Sequence, residues 1–276
     1  MKVSGKDVAE AILKKLEAQI KKNNLKPGLA IILANNNPAS KIYVDNKIKA
    51  AEKIGISASL YKFSETESKG CKEAIKLLNN DSSVNGIIVQ YPVYDSWNFD
   101  DFENSITANK DVDGFLEDSP YIGATALAIW EMLTAFSLIE GFKKTEEFLE
   151  SKKIIVLGKG KTAGGPITKL LISKGFDVTS IIRETENPDP IIKSGDIVIS
   201  ATGVKNKINE TNLKKGAYVI GVGVGKELID GKMQIYGDID EADVESLAKL
   251  YCPTIGGIGP LTIVSLLKNV VEASKK

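Results

Sequence analysis

The chain has no histidine among its 276 residues. That absence excludes a Ser-His-Asp triad, a His-Glu-x-x-His zinc centre and hydroxy-acid dehydrogenation through imidazole. Proton transfer must fall to carboxylate, lysine, tyrosine, thiol or water. Cysteine is scarce as well. Cys71 and Cys252 are too few and too far apart for a metal site or a disulfide framework, so no metal is expected. No apolar run approaches the roughly 20 residues of a membrane span, and the polar opening carries no secretory core, so a cytoplasmic protein without a membrane partner is expected. Basic and acidic residues balance at 36 each, which argues against a nucleic-acid partner. What is present is core material: 43% hydrophobic and 26% charged residues suit one large or two modest domains.

Arginine is the scarcest cation, and the position of Arg183 is informative. It follows the strand-like run Val178-Thr179-Ser180-Ile181-Ile182. Upstream, Ile154-Ile155-Val156-Leu157 reads as a strand leading into a loop with Gly158, Gly160, Gly164 and Gly165. Strand, glycine loop, helix and second strand form a Rossmann-type dinucleotide-binding unit. Glycines let the backbone approach a pyrophosphate at the positive end of the following helix. The tip of the second strand meets the adenosine ribose, where arginine accommodates the 2′-phosphate of NADP and an acidic residue favours NAD. Arg183 points to NADP, while the adjacent Glu184 keeps NAD open.

The first half alternates helix and strand. Val8, Ile12, Leu16 and Ile20 recur at helical spacing over 5–22, and Gly28 to Leu33 reads as a buried strand. Pro38 suits the first turn of a helix capped by Asn37 and running to about Ile54. A strand over 57–63, a helix over 68–78 and a strand over 86–90 complete a three-stranded α/β unit, parallel by inference from the alternation. Residues 121–150 carry a long helical pattern, Ala126 to Phe136, and then a charged stretch, which reads as a connector. Strands over 154–157, 178–182, 196–200 and 218–222 follow, alternating with helices, and Leu261 to Val271 is an apolar terminal helix.

Tyr43 and Lys47 stand four apart on one helix face. Short-chain dehydrogenases carry such a pair after the glycine loop, whereas here it lies far upstream of Gly158. Gly86-Ile87-Ile88-Val89-Gln90 ends an apolar strand with an amide, at the kind of strand end that borders ligands in α/β sheets. Lys110-Asp111-Val112-Asp113-Gly114-Phe115 places two carboxylates beside a glycine turn.

Together, Ser40-x-x-Tyr43-Val44-x-x-Lys47, Gly86-Ile87-x-Val89-Gln90-x-Pro92 and Lys110 to Phe115 resemble the bifunctional methylenetetrahydrofolate dehydrogenase/cyclohydrolase (FolD) family. The resemblance continues through Gly158 to Pro166, Gly237-Asp238-Ile239-Asp240 and Gly256-Gly257-Ile258-Gly259-Pro260-Leu261-Thr262. It implies oxidation of 5,10-methylenetetrahydrofolate by a nicotinamide cofactor, then hydrolysis of the methenyl form to 10-formyltetrahydrofolate. By motif position, Lys47 is the central catalytic lysine, Tyr43 stacks on the folate, Gln90 orients Lys47, Asp113 holds the pterin and Pro260 borders the folate site. Gly158, Lys159, Gly160, Gly164, Arg183, Thr202, Gly203 and Val224 are implied in cofactor binding. A homodimer acting on tetrahydrofolate derivatives is likewise implied.

The departures from the family pattern are specific. Gly158-Lys159-Gly160 replaces the usual Gly-Arg-Ser, and Ile182-Arg183-Glu184 replaces His-Ser-Arg. Either Lys159 and Arg183 share the 2′-phosphate, or the preference relaxes toward NAD. Ala124-Thr125-Ala126 stands for Pro-Cys-Thr-Pro, and Val219-Ile220-Gly221-Val222-Gly223 for Val-Ile-Asp-Val-Gly. The expected architecture is two α/β domains with a cleft between them: a three-layer substrate domain over 1–120 completed by a helix over 261–276, a linker over 121–150, and a Rossmann domain over 151–260. A shikimate-dehydrogenase-like oxidoreductase and a non-catalytic nucleotide-binding module are the alternatives.

Overall fold

Six consecutive buried residues make β1 (Gly28–Leu33) the central strand of a small parallel sheet. The computed structural model describes residues 1–229 and 231–275. Its chain divides into two compact units. The first comprises Glu10–Ala124 and Ile263–Lys276; Lys276, the last residue of the expected terminal helix, lies outside the described residues. In chain order it carries α1 (Gly5–Lys22), β1, α2 (Pro38–Lys53), β2 (Ser57–Lys62), α3 (Ser68–Asn80), β3 (Gly86–Val89) and α4 (Phe99–Glu103). The division itself falls within α1. The strands pair in the order β2-β1-β3, all parallel as the alternation implied. Asn37 caps α2 by accepting from Ala39 N, and Pro38 occupies the first turn, where its missing N–H costs nothing. Ala30, Ile32, Ile75, Ile87 and Phe102 pack one face of this sheet. Full burial of each large apolar side chain contributes roughly 1.5–3 kcal/mol.

The second unit comprises Met1–Ala9 and Thr125–Thr262. It holds α5 (Ala124–Ile139), α6 (Thr145–Leu149), β4 (Ile154–Leu157), α7 (Gly164–Ser173), β5 (Val178–Ile181), α8 (Pro188–Lys193), β6 (Ile197–Ser200) and β7 (Tyr218–Gly221). An antiparallel ribbon of β8 (Val224–Ile229) and β9 (Lys232–Gly237) follows, then α9 (Glu241–Leu247), β10 (Leu250–Cys252) and α10 (Ile258–Ala273), within which the chain passes back to the first unit. The main sheet is parallel with order β10-β7-β6-β4-β5. In chain order within the sheet this is the doubly wound arrangement 2-1-3-4-5. Its switch point lies between β4 and β6, where open α/β sheets bind ligands at the carboxyl ends of their strands.

Two boundaries differ from the sequence expectation. Residues 1–9 group with the second unit because Val3 N donates to Tyr251 O (2.7 Å) and Tyr251 N to Met1 O (3.0 Å). The 125–150 segment also belongs there. Its helices pack on the sheet through rings: Phe148 lies 5.0 Å from Tyr218, and Phe136 lies 6.1 Å from it. The alternation of strands with helices holds at α8 but not between β6 and β7, where residues 201–217 form no helix, and the ribbon, β10 and the short helices α4, α6 and α9 have no counterpart in the sequence expectation.

Candidate functional site

Lys47 projects from α2 and is almost wholly buried, at 5% exposure. Its Nζ donates to Gln90 Oε1 at 3.0 Å. Gln90 directly follows β3, and its Nε2 donates to Tyr91 O at 2.7 Å, which fixes the amide so that its oxygen faces the lysine. One helical turn back, the Tyr43 ring centroid lies 5.1 Å from Nζ. Burial pushes the Lys47 ammonium below its ordinary range, and the charge of Asp113 opposes that shift. Burial raises the Asp113 carboxyl, the Lys47 charge lowers it, and Asp111 raises it further. Four sequence-predicted residues, Tyr43, Lys47, Gln90 and Asp113, therefore converge in the first unit. A buried lysine with a neutral acceptor and a neighbouring carboxylate gives up its proton more readily than a solvated one, which suits it to proton transfer.

The loop that carries Asp113 is built by its neighbours. Lys110 is buried and donates to Leu78 O and Asp81 O, both at 2.7 Å, tying the loop to the end of α3. The Asp111 carboxylate accepts from Gly114 N (3.0 Å) and Leu116 N (2.8 Å). From α10, Asn269 Nδ2 donates to Val112 O (2.8 Å) and Ile122 O (2.9 Å). Sequence reading missed Asn269, because a single amide on an apolar helix carries no local pattern.

In the second unit, Gly158 directly follows β4 at the switch point. Its φ is +97°, and an added Cβ would lie 2.5 Å from Ala201 O, so a side chain is excluded twice over. Gly164 opens α7 against the Gly158 carbonyl, and Gly160 lies in the open part of the loop. Ile182 N donates to Thr185 Oγ1 (2.9 Å) and Thr185 N to Ile182 O (3.0 Å), closing a turn from which Arg183 and Glu184 project into solvent. Lys159 reaches Glu184 at 3.7 Å. Both side chains are about two-thirds exposed, so the pair adds about 0–1 kcal/mol and yields readily to a stronger anion. Thr202 and Gly203 follow β6, and Val224 opens β8 with its carbonyl oxygen 3.3 Å from where a Gly203 Cβ would stand. A recess of about 470 Å³ beside the loop is lined by Gly158, Lys159, Gly165, Thr168, Lys169 and Ser180, among others. A loop whose backbone is bare at Gly158, Gly160 and Gly164, with Lys159 in it and Lys169 beside it, fits the pyrophosphate and phosphate of a dinucleotide.

The family sequence model described as "Tetrahydrofolate dehydrogenase/cyclohydrolase, catalytic domain" matches residues 3–113. The model of the corresponding NAD(P)-binding domain matches residues 125–276. The chain belongs to the tetrahydrofolate dehydrogenase/cyclohydrolase family. A Rickettsia bellii relative, Bifunctional protein FolD, is 37% identical over 279 residues, spanning 99% of this chain and 98% of its own length. The crystal structure of Campylobacter jejuni FolD superposes with a TM-score of 0.87 at 30% identity, over 100% of this chain and 98% of the other. Trypanosoma brucei FolD, crystallised with NADP and an inhibitor, gives 0.88 at 26% identity, over 100% and 97%.

Two FolD-pattern positions behave differently from the rest. Pro260, in the first turn of α10, belongs to the second unit and so is not grouped with Lys47. Gly221 stands where the family usually has aspartate, and the Thr254 hydroxyl fills the space that a side chain there would need.

Proposed function

We propose that this family member oxidises 5,10-methylenetetrahydrofolate with NADP and hydrolyses the methenyl product to 10-formyltetrahydrofolate. The observation that carries the reading is the buried Lys47 ammonium, held 3.0 Å from Gln90 and influenced by Asp113. Bound NADP supplies the hydride acceptor. Removing hydride from a carbon flanked by two nitrogens leaves a delocalised cation, so this step asks the protein for alignment and not for a strong base. Tyr43 offers a ring face for the folate, and Asp113 suits the paired donors of the pterin amino-pyrimidine edge.

Hydrolysis needs proton handling, and here Lys47 acts. Its neutral form takes a proton from the water that adds to the methenyl carbon, and its ammonium form returns that proton to the departing ring nitrogen while the carbinol hydroxyl releases its own proton to solvent and becomes the formyl oxygen. Burial enlarges the neutral fraction, and the substrate's own positive charge enlarges it further. Gln90 accepts from the ammonium and keeps it in place. Lys47→Met should therefore cost the cyclohydrolase about 10²–10⁴-fold and the dehydrogenase much less. Loss of dehydrogenation with hydrolysis retained would overturn this division.

Arg183 and Lys159 support NADP over NAD, since a guanidinium and an ammonium beside the ribose favour a 2′-phosphate. Comparing initial rates with the two cofactors tests the preference. The exposed apolar residues Val224, Leu228, Met233 and Ile235 on the β8–β9 ribbon support a homodimer. Sedimentation of Leu228→Lys, expected to be monomeric, tests that assembly. The two free, buried cysteines suit a reducing cytoplasm. Membership of the folate family leaves the shikimate-dehydrogenase-like reading without support.

A further inference from the structure

Asp238 lies at the end of β9 and is fully buried. Its Oδ2 accepts from Thr202 N (3.1 Å) and Gly223 N (3.0 Å), and its Oδ1 accepts from Thr254 Oγ1 (3.1 Å). Thr202 follows β6, Gly223 follows β7 and Thr254 follows β10. These are three neighbouring strands of one parallel sheet, so a single carboxylate joins three adjacent carboxyl ends. The backbone has left room for it: a Cβ on Gly223 would lie 2.5 Å from Asp238 Oδ2, and one on Gly237 would lie 2.6 Å from Thr254 Cβ. Asp238 N also donates to Gly223 O at 3.0 Å, so the loop after β7 is gripped from both sides.

We infer that Asp238 is a positioning residue for the nicotinamide-nucleotide site. It sets the spacing of the loop 201–204 against the loop 222–224, and through them the placement of Thr202, Gly203 and Val224. This rests on reading those loops as part of the cofactor site. Aspartate can hold two backbone N–H groups and a hydroxyl at once. Asparagine can do the same if its oxygen takes the two backbone donors and its amide donates to Thr254 Oγ1. Alanine leaves the two part-buried backbone donors and the buried Thr254 hydroxyl without their shared acceptor, so the loops shift apart to reach water. Geometry and not charge is what the site uses.

The test measures NADP KM in the dehydrogenase assay beside cyclohydrolase kcat/KM, which requires no nicotinamide, for wild type and variants matched by thermal melting. Asp238→Ala should raise NADP KM at least tenfold and leave cyclohydrolase kcat/KM within twofold. Asp238→Asn should restore KM to within about threefold of wild type. Thr254→Val, which leaves the tie between the β6 and β7 loops intact, should leave KM within twofold. If Asp238→Ala does not fold, Gly223→Ala replaces it, because its methyl pushes the same two loops apart while Asp238 remains; it too should raise KM with hydrolysis intact. An unchanged NADP KM, or a parallel fall in both activities, overturns the inference. Wild-type protein that binds neither NADP nor NAD by titration calorimetry would instead overturn the parent reading of the loops.

Discussion

Asp238 makes a quantitative prediction about stability as a function of pH. Burial raises its carboxyl from 3.8 to about 6 in the folded protein, against the lowering effect of its hydrogen bonds. The folded state therefore holds a proton between about pH 4 and pH 6 that the unfolded chain has already released. Stability from this group is fully present below about pH 4 and is lost as pH rises through about 6. A difference of about two pH units at about 1.4 kcal/mol each amounts to about 3 kcal/mol, and the burial of the group leaves little solvent to screen it. Asp238→Asn cannot ionise. Urea unfolding followed by tryptophan fluorescence, from pH 4 to 8, should show wild type losing about 3 kcal/mol relative to this variant as pH rises. Other carboxylates cancel in the difference. Parallel curves would refute the raised pKa, and a difference of opposite slope would mean that the hydrogen bonds outweigh burial.

Three further predictions concern the two sites. Arg183→Ala should raise NADP KM and leave NAD KM nearly unchanged, so that the ratio of the two collapses; an unchanged ratio would remove Arg183 from the 2′-phosphate. Gln90→Ala removes the acceptor from a buried ammonium, at a cost of about 1.5–3 kcal/mol, and cyclohydrolase kcat should fall about tenfold to a hundredfold. Wild-type hydrolysis in Gln90→Ala would show that Lys47 needs no such support. Gly158→Ala forces a methyl against Ala201 O at positive φ, and calorimetry should show NADP affinity reduced at least tenfold, with an unchanged affinity contradicting the tight-loop reading.

The central strands of both sheets are legible because parallel strands buried on both faces read as apolar runs, as in Ile154 to Leu157 and Ile197 to Ile199, whereas the three-residue edge strand β10 (Leu250–Cys252) is too short to stand out. The α2 site is legible for a different reason: Asn37-Pro38 marks the helix start, which fixes Tyr43 and Lys47 on one face. What the sequence hides is chiefly backbone-mediated. Residues 1–9 join the second unit through main-chain bonds to Tyr251, and Asp238 acts mainly on main-chain N–H groups, neither of which leaves a side-chain pattern. The β8–β9 ribbon escaped because Leu228, Met233 and Ile235 are exposed beside exposed Lys226, Lys232 and Gln234, so burial does not follow the usual alternation of apolar and polar positions. Lys110-Asp111-Val112-Asp113-Gly114 reads as one motif, yet Lys110 and Asp111 build the loop and only Asp113 interacts with Lys47.

The protonation of Lys47 itself is the most direct test. Side-chain NMR of isotope-labelled lysine, with Lys47→Met supplying the assignment, follows the ammonium through its titration in the free protein. Burial should bring its midpoint below the ordinary 10.5, and the resonance should move on binding folate. A midpoint at or above 10.5, insensitive to folate, would mean a permanently charged lysine and no proton carrier for hydrolysis.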